Sequence, residues 1–111
     1  MATLLDVVRT DSTFERTATR DGEAWVGRCI HCNRKLTVGL DGRASRDVTI
    51  EHLVPRSAGG TDDLHNLSVA CARCNHQKGR THDQRGLKDA RAAEVIEKLL
   101  EKRRARWRDE P

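Results

Sequence analysis

Aromatic side chains are scarce in this chain, which has one Phe, two Trp and no Tyr among its 111 residues. Hydrophobic residues make up only 36% of the sequence, while charged residues make up 34%. A chain of this length usually forms one domain, which argues against a two-domain enzyme. The core of such a domain is thin, so we expect something besides hydrophobic burial to stabilise the fold.

Long hydrophobic runs are also lacking. Within residues 1–30, no apolar run is longer than Ala24-Trp25-Val26. A secretory signal needs an apolar stretch of about 7–15 residues and a transmembrane helix needs about 20, so we expect neither. The sequence therefore predicts a soluble, cytoplasmic protein without a membrane partner.

The four cysteines form two Cys-x-x-Cys pairs, Cys29 with Cys32 and Cys71 with Cys74, and none is left over. This spacing is typical of the ligands of a single tetrahedral zinc ion. Two disulfides are an alternative that requires an oxidising compartment. A thioredoxin-like redox pair is a third interpretation, although no βαβ pattern surrounds it. Compartment and spacing together favour zinc.

Positive charge is in moderate excess, with 21 Lys and Arg against 17 Asp and Glu, for a net charge of +4. The isoelectric point is near 9.2. The excess lies within residues 28–80, and most of the basic residues are arginines, whose planar guanidinium can donate two hydrogen bonds to one phosphate. A nucleic-acid partner is one explanation of this charge, and a general compositional bias is the other.

The first half of the chain contains few clear periodic patterns. Residues 2–9 predict a short amphipathic helix, and residues 10–23 form a polar, Thr-rich stretch without periodicity. Residues 35–38 and 48–52 alternate in the manner of strands on either side of a turn at Asp41-Gly42. These two strands predict a β-hairpin.

The region after Pro55 reads as loop and helix. Residues 57–63 have the composition of a loop, and residues 71–78 can form a short helix that Gly79 ends. Residues 86–107 repeat apolar side chains at helical spacing and predict one amphipathic helix.

The last turn of that helix is basic, which we interpret as a solvated face, with contact to a phosphate backbone as the alternative. The basic residues are Lys102, Arg103, Arg104, Arg106 and Arg108. We divide the chain into an N-terminal helix with a polar lead-in (1–24), a central domain (25–80) and a C-terminal helix (81–111). The C-terminal helix can pack on its own domain, or pair with a protein partner or a second copy in a homodimer.

The most informative stretch is residues 47–80, which reads DVTIEHLVPRSAGGTDDLHNLSVACARCNHQKGR. Its motif elements are, in order, Glu51-His52, Pro55, Gly59-Gly60, Asp62-Asp63, Asn66-Leu67 and Cys71-x-x-Cys74-Asn75-x-x-Lys78-Gly79. Together with the first cysteine pair, this order resembles the HNH endonuclease family, of the type that carries a four-cysteine zinc site. The resemblance covers residues 29–79. It implies an α+β fold, namely a small zinc-stabilised ββα-metal domain, treble-clef-like, with flanking helices.

The resemblance also implies a metal-dependent nuclease that hydrolyses DNA phosphodiester bonds. His52 stands at the position of the general base, and an imidazole with an ordinary pKa of about 6.5 can accept a proton at neutral pH. Glu51 and Asn75 stand at the positions that hold the single catalytic metal, and their oxygen atoms suit Mg²⁺ or Mn²⁺. Asn66 would tie the loop and orient the catalytic histidine, and capping a turn is the alternative role.

The geometry of the pair Glu51-His52 needs explanation, because consecutive strand residues project to opposite faces. Both can serve one site if the chain bends, or if metal and attacking water lie on different sides of the phosphate. Glu51 also stands where the family frequently has Asp or His, and its extra methylene group can shift the metal.

The resemblance gives the four cysteines a structural role, because four thiolates leave zinc no open position for water. Nearby basic residues would contact phosphates, namely Arg56, Arg73, Lys78 and Arg80. The remaining histidines are interpreted without a catalytic role. We expect His31 to be an exposed residue of the first cysteine turn, His65 and His82 to be loop residues, and His76 to point away from the metal.

Two functions remain open for such a domain. It is either a nuclease, or a catalytically silent zinc module that only binds nucleic acid. A binding module has no physical need for a base together with hard-cation ligands, which favours the enzyme. Nicking or double-strand cleavage, and a phage or mobile-element origin (with the host cytoplasm as location), are further expectations of this interpretation.

Overall fold

The computed structural model describes residues 2–83 and 89–109. In these ranges the chain forms two small antiparallel sheets and three α-helices, so the predicted α+β class is confirmed. The elements are α1 (Leu4–Arg9), β1 (Glu15–Thr19), β2 (Gly22–Arg28), β3 (Lys35–Gly39), β4 (Val48–His52), β5 (Leu67–Cys71), α2 (Ala72–Lys78) and α3 (Ala90–Arg106). None of the helices in the described ranges has the length and apolarity that crossing a bilayer requires.

The first sheet has the order β1-β2-β3 and lies ahead of the motif region. The side chains of β1 are almost all exposed, so this strand shows no apolar alternation in the sequence. Its backbone pairs with β2, where Ala24 and Trp25 are buried. The prediction of a polar lead-in therefore missed a strand, and the predicted boundary after residue 24 lies inside β2.

The second sheet consists of β4 and β5 and carries the motif residues. The predicted hairpin between residues 35–38 and 48–52 is wrong, because β3 pairs with β2 and β4 pairs with β5. All five residues of β5 are buried, so both faces of the strand are covered. A strand that is buried on both faces shows no alternation, which is why the sequence pattern did not reveal it.

The helices begin and end close to the predicted positions. Helix α1 starts after Thr3, whose side chain forms a capping box with Asp6. Helix α2 ends at Lys78 as expected, but Gly79 keeps right-handed helical dihedral angles and a π-helical turn continues over Gly79–Asp83. Helix α3 starts after its N-cap Asp89, while residues 86–88 of the predicted helix lie outside the described residues.

The end of α3 corrects the interpretation of its basic run. Arg103 is fully buried, and its guanidinium donates hydrogen bonds to the carbonyl oxygens of Leu67 (2.7 Å) and Thr10 (2.8 Å). Arg106 is also buried and donates to the carbonyl oxygen of Arg28 at 3.0 Å. These two side chains are neither a solvated face nor free to follow a phosphate backbone, since they join α3 to the rest of the core.

Candidate active site and metal centre

The four cysteine sulfurs meet where β2, β5 and α2 come together. Cys29 directly follows β2, Cys71 ends β5, and Cys74 lies in the first turn of α2. With Cys32, their sulfur atoms all lie within 4.8 Å of one another. Asn33 reverses the chain with φ of 64°, a left-handed conformation that Asn tolerates better than most residues. The predicted clustering of the cysteines is confirmed, and the cluster could hold one zinc ion.

The electrostatics of the cluster favour a bound cation. Burial raises the pKa of the Cys74 thiol far above its ordinary value, and the neighbouring Cys71 and Cys32 thiols raise it further. Burial also raises the pKa of Cys71, whereas a hydrogen bond from the Arg34 backbone lowers that of Cys32. Four thiolates in one small volume need a compensating positive charge, which a divalent metal ion supplies.

Glu51 and His52 end β4 and project to opposite faces of the second sheet. Glu51 is 1% exposed, whereas the side chain of His52 is 26% exposed and reaches solvent. The end of β4 therefore has a buried side and an open side, and the two motif residues lie in different environments.

In the buried carboxylate of Glu51, one oxygen forms a hydrogen bond and the other forms none among the described residues. Its Oε1 lies 2.6 Å from Nε2 of His31. Its Oε2 has no hydrogen-bond partner among the described residues, and Nζ of Lys78 is 3.8 Å away. His31 is therefore not the exposed turn residue that we expected, since its side chain is only 19% exposed and faces β4.

Asn75 lies on α2 and faces the same side of β4 as Glu51. Its Nδ2 donates a hydrogen bond of 3.0 Å to Oγ1 of Thr49, which is two residues before Glu51 on the strand. This bond engages the amide nitrogen, so Oδ1 is the atom that can bind a cation. A neutral oxygen from Asn75 and an anionic oxygen from Glu51 fit the preference of Mg²⁺ or Mn²⁺ for oxygen ligands.

On the open side, His52 is held by an acidic residue of the following loop. Its Nε2 lies 2.7 Å from Oδ1 of Asp62, and Arg56 donates to the same carboxylate oxygen at 2.9 Å. These two hydrogen bonds keep the pKa of Asp62 below its ordinary value, and the one with His52 has the larger effect. Asp62 belongs to the sequence motif, but its position along the chain did not indicate that its side chain contacts His52.

Asn66 connects the two ends of the loop that carries Asp62. Its Oδ1 accepts a hydrogen bond from the backbone N–H of Val54 at 2.8 Å, and its Nδ2 donates to the carbonyl oxygens of Val54 and Thr61. Gly60 belongs to the same loop, where a Cβ atom would lie 1.8 Å from the carbonyl oxygen of Val54. The loop is therefore tightly folded beside His52, and Asn66 acts on it from a buried position.

The basic residues near the site divide into exposed and buried ones. Arg73 and Arg80 are exposed and line an open groove of about 610 Å³ along α2, together with the exposed His76. Lys78 is only 3% exposed, and its Nζ donates to Asp83 at 2.7 Å and to the carbonyl oxygen of His52 at 3.2 Å. The prediction of a phosphate contact by Lys78 is wrong, because its ammonium group is enclosed by the protein.

Comparison with protein-family models matched the family described as HNH endonuclease over residues 29–90. This range contains all four cysteines, the whole of β4, and the loop whose two ends are joined by the side chain of Asn66. No curated protein and no solved structure matched the chain at a significant level.

Proposed function

The chain belongs to the HNH endonuclease family, and we propose that it is a metal-dependent nuclease that hydrolyses DNA phosphodiester bonds. In this proposal His52 is the general base, and Glu51 and Asn75 bind one Mg²⁺ or Mn²⁺ ion. The four cysteines bind one zinc ion that stabilises the fold and takes no part in the reaction.

The observation that carries this proposal is the pair of environments at the end of β4. On the open side, His52 is partly exposed and held by Asp62 at 2.7 Å. On the buried side, Glu51 keeps one carboxylate oxygen without a hydrogen bond among the described residues, and Asn75 faces the same side of the strand. Phosphodiester hydrolysis requires a base and hard-cation ligands at one phosphate. Because His52 and Glu51 face opposite sides of β4, the attacking water and the metal would lie on different sides of that phosphate.

His52 would move the proton in the reaction. Nε2 of His52 lies 2.7 Å from Asp62 and 3.3 Å from Nε of Arg56. In the tautomer that donates Nε2–H to Asp62, the lone pair is on Nδ1, which would take the proton from water. The same carboxylate stabilises the imidazolium that forms. Asn66 keeps Asp62 in place through its hydrogen bond to the adjacent Thr61 at 2.8 Å. A bound divalent cation supplies positive charge for the phosphate and the leaving oxygen.

Exposed cationic side chains are available to DNA beside His52 on the open side of β4 and along α2, which packs against the side that Glu51 faces. Arg73 and Arg80 border the groove along α2, and Arg56 lies beside His52 with its side chain 60% exposed. Contacts from such residues to phosphates position the strand without reading its sequence.

A protein partner or homodimer and a cytoplasmic location stay predictions. The apolar face of α3 is buried against its own chain through Ala92, Ile96 and Leu99.

Plasmid cleavage by the zinc-loaded protein tests the proposal. We expect nicking or linearisation that depends on Mg²⁺ or Mn²⁺ and stops in EDTA. His52→Ala should reduce the rate by about 100-fold or more, because it removes the base, and Asn75→Ala should weaken the metal dependence. The ratio of nicked to linear product separates single-strand from double-strand cleavage.

The matched control is His65→Ala, because His65 is an exposed histidine that stacks on Trp107 rather than facing the site. This variant should cut at the wild-type rate. Salt-sensitive DNA binding by a wild-type protein that cuts no DNA under any divalent condition would instead identify the silent zinc module.

A further inference from the structure

His31 connects the cysteine cluster to the buried side of β4. It lies between two of the clustered cysteines, and its backbone N–H donates to Sγ of Cys29 at 3.4 Å. Its ring reaches Glu51, with Nε2 of His31 2.6 Å from Oε1. Because the turn is restrained by Cys29 and Cys32 at both ends, the position of the imidazole is set by the same cluster that stabilises the fold.

The hydrogen bond from His31 engages only one oxygen of the Glu51 carboxylate, so the second oxygen, Oε2, depends on other partners. Oε2 is buried, yet it has no hydrogen-bond partner among the described residues. Nζ of Lys78 lies 3.8 Å from Oε2, and that group already donates to Asp83 at 2.7 Å. A purely structural ion pair is expected to satisfy both oxygens of a buried carboxylate. Within the part of the chain that the structure describes, Oε2 therefore has an ammonium group at 3.8 Å but no hydrogen bond, which leaves it as the carboxylate oxygen available to a cation.

We propose that His31 is a positioning residue for the divalent-cation site. It binds Oε1 of Glu51, fixes the side-chain rotamer, and leaves Oε2 as the oxygen that binds the cation. Glutamate has one more rotatable bond than aspartate, so a glutamate ligand gains more from such a restraint. This inference rests on the proposed function, because it concerns the same cation, and it adds that the cysteine turn controls how tightly the cation binds.

Mn²⁺ binding measured by electron paramagnetic resonance, without DNA, tests the inference. The variants are His31→Gln and His31→Asn in the zinc-loaded protein, with zinc content determined for each. The amide nitrogen of Gln extends about as far as Nε2 of histidine and can still reach Oε1, whereas that of Asn is too short. We expect His31→Asn to weaken Mn²⁺ binding by about 10–100-fold at unchanged zinc content, and His31→Gln to retain most of the affinity.

Glu51→Gln is the positive control for loss of the site, and His65→Ala is the neutral histidine control. Equal Mn²⁺ affinity in wild type and His31→Asn, with zinc retained, overturns the inference, as does a wild-type protein that binds no Mn²⁺. If His31→Asn loses zinc, the comparison uses wild type, His31→Gln and His31→Ala, each at full zinc occupancy. Identical Mn²⁺ affinities in these three proteins overturn the inference.

Cleavage assays on the same samples separate this inference from the proposed function. A wild-type protein that binds Mn²⁺ in a His31-dependent manner but cuts no DNA supports the inference and contradicts the nuclease. A wild-type protein that cuts DNA, with Mn²⁺ binding indifferent to His31, supports the nuclease and contradicts the inference.

Discussion

Arginines at the end of α3 have the same chemistry as Arg73 on α2 and Arg80 in the π-helical turn after it, but they have different roles. Arg103 is fully buried and donates to the backbone of Leu67, Thr10 and Leu64. Arg73 and Arg80 are exposed and border an open groove. The first region uses guanidinium N–H donors to satisfy buried carbonyl groups, and the second leaves such donors available to a ligand.

The difference teaches that a run of basic residues does not identify a nucleic-acid surface by itself. Arg106, in the same run as Arg103, donates to Oδ1 of Asn33 at 2.7 Å and so supports the cysteine turn. Arg104, between them, has a side chain 57% exposed and pairs with Glu97. Three arginines within one helical turn therefore have structural or surface roles that depend on which side of α3 they occupy.

Removal of zinc should have the largest effect on both regions, because α2 carries Cys74 and Arg106 of α3 donates a hydrogen bond to Asn33 of the cysteine turn. With few aromatic residues in the core, we expect metal binding to be a large part of folding. Strong chelation should collapse the near-UV circular dichroism of Trp25, which is 8% exposed, and of Trp107, which stacks on His65. Added zinc should restore the spectrum, and an unchanged spectrum after verified zinc removal contradicts this expectation.

Arg103→Met should cause the next largest effect, on the stability of the folded chain. The substitution keeps an apolar stem but leaves the buried carbonyl groups of Leu67 and Thr10 without their donor. We expect the free energy of unfolding, measured in urea, to fall by about 3 kcal/mol or more. Arg104→Met is the matched control and should change it by about 0.5 kcal/mol at most. Equal losses in the two variants would remove the basis of the comparison.

Asn66→Ala should have an intermediate effect on stability and a clear effect on cleavage. It leaves the N–H and carbonyl of Val54 without their partner and releases the loop that holds Asp62. The free energy of unfolding should fall by about 1–3 kcal/mol, and plasmid cleavage should slow even where the protein is fully folded. Asn66→Asp keeps the acceptor for Val54 and should lose less stability. Wild-type cleavage by folded Asn66→Ala would limit Asn66 to a turn cap.

The double variant Arg73→Ala/Arg80→Ala should have the smallest effect on stability. Both side chains are exposed, so unfolding should change by about 0.5 kcal/mol or less for each substitution. DNA binding should weaken, and the slope of log affinity against log salt should become shallower by about 2 as two phosphate contacts are lost.

The matched control is Arg16→Ala/Arg43→Ala, which removes the same charge from side chains that are 54% and 92% exposed and pair with Glu23 and Asp41. An equal loss of DNA affinity in both double variants would assign the binding to net charge rather than to the groove along α2.

Much of the fold and of the candidate site was predictable from local sequence. The paired spacing of Cys29 with Cys32 and of Cys71 with Cys74 indicated one metal cluster, and their sulfur atoms do lie together. The α+β class and the short helix after Cys71 were also predicted correctly. Such features are visible because ligand spacing, turn residues and helical period are properties of neighbouring residues.

Sheet pairing and the roles of single charged side chains were decided only by tertiary structure. Strand β4 pairs with β5 rather than with β3, because the folded chain places β5, which is buried on both faces, beside β4. The contact of His31 with Glu51, the enclosure of Lys78 and the burial of Arg103 all join segments that are distant in sequence. The sequence by itself determined which chemical groups this protein carries and the order in which they occur. Only packing decided which of these groups meet, because burial and long-range hydrogen bonds depend on the arrangement of the whole chain.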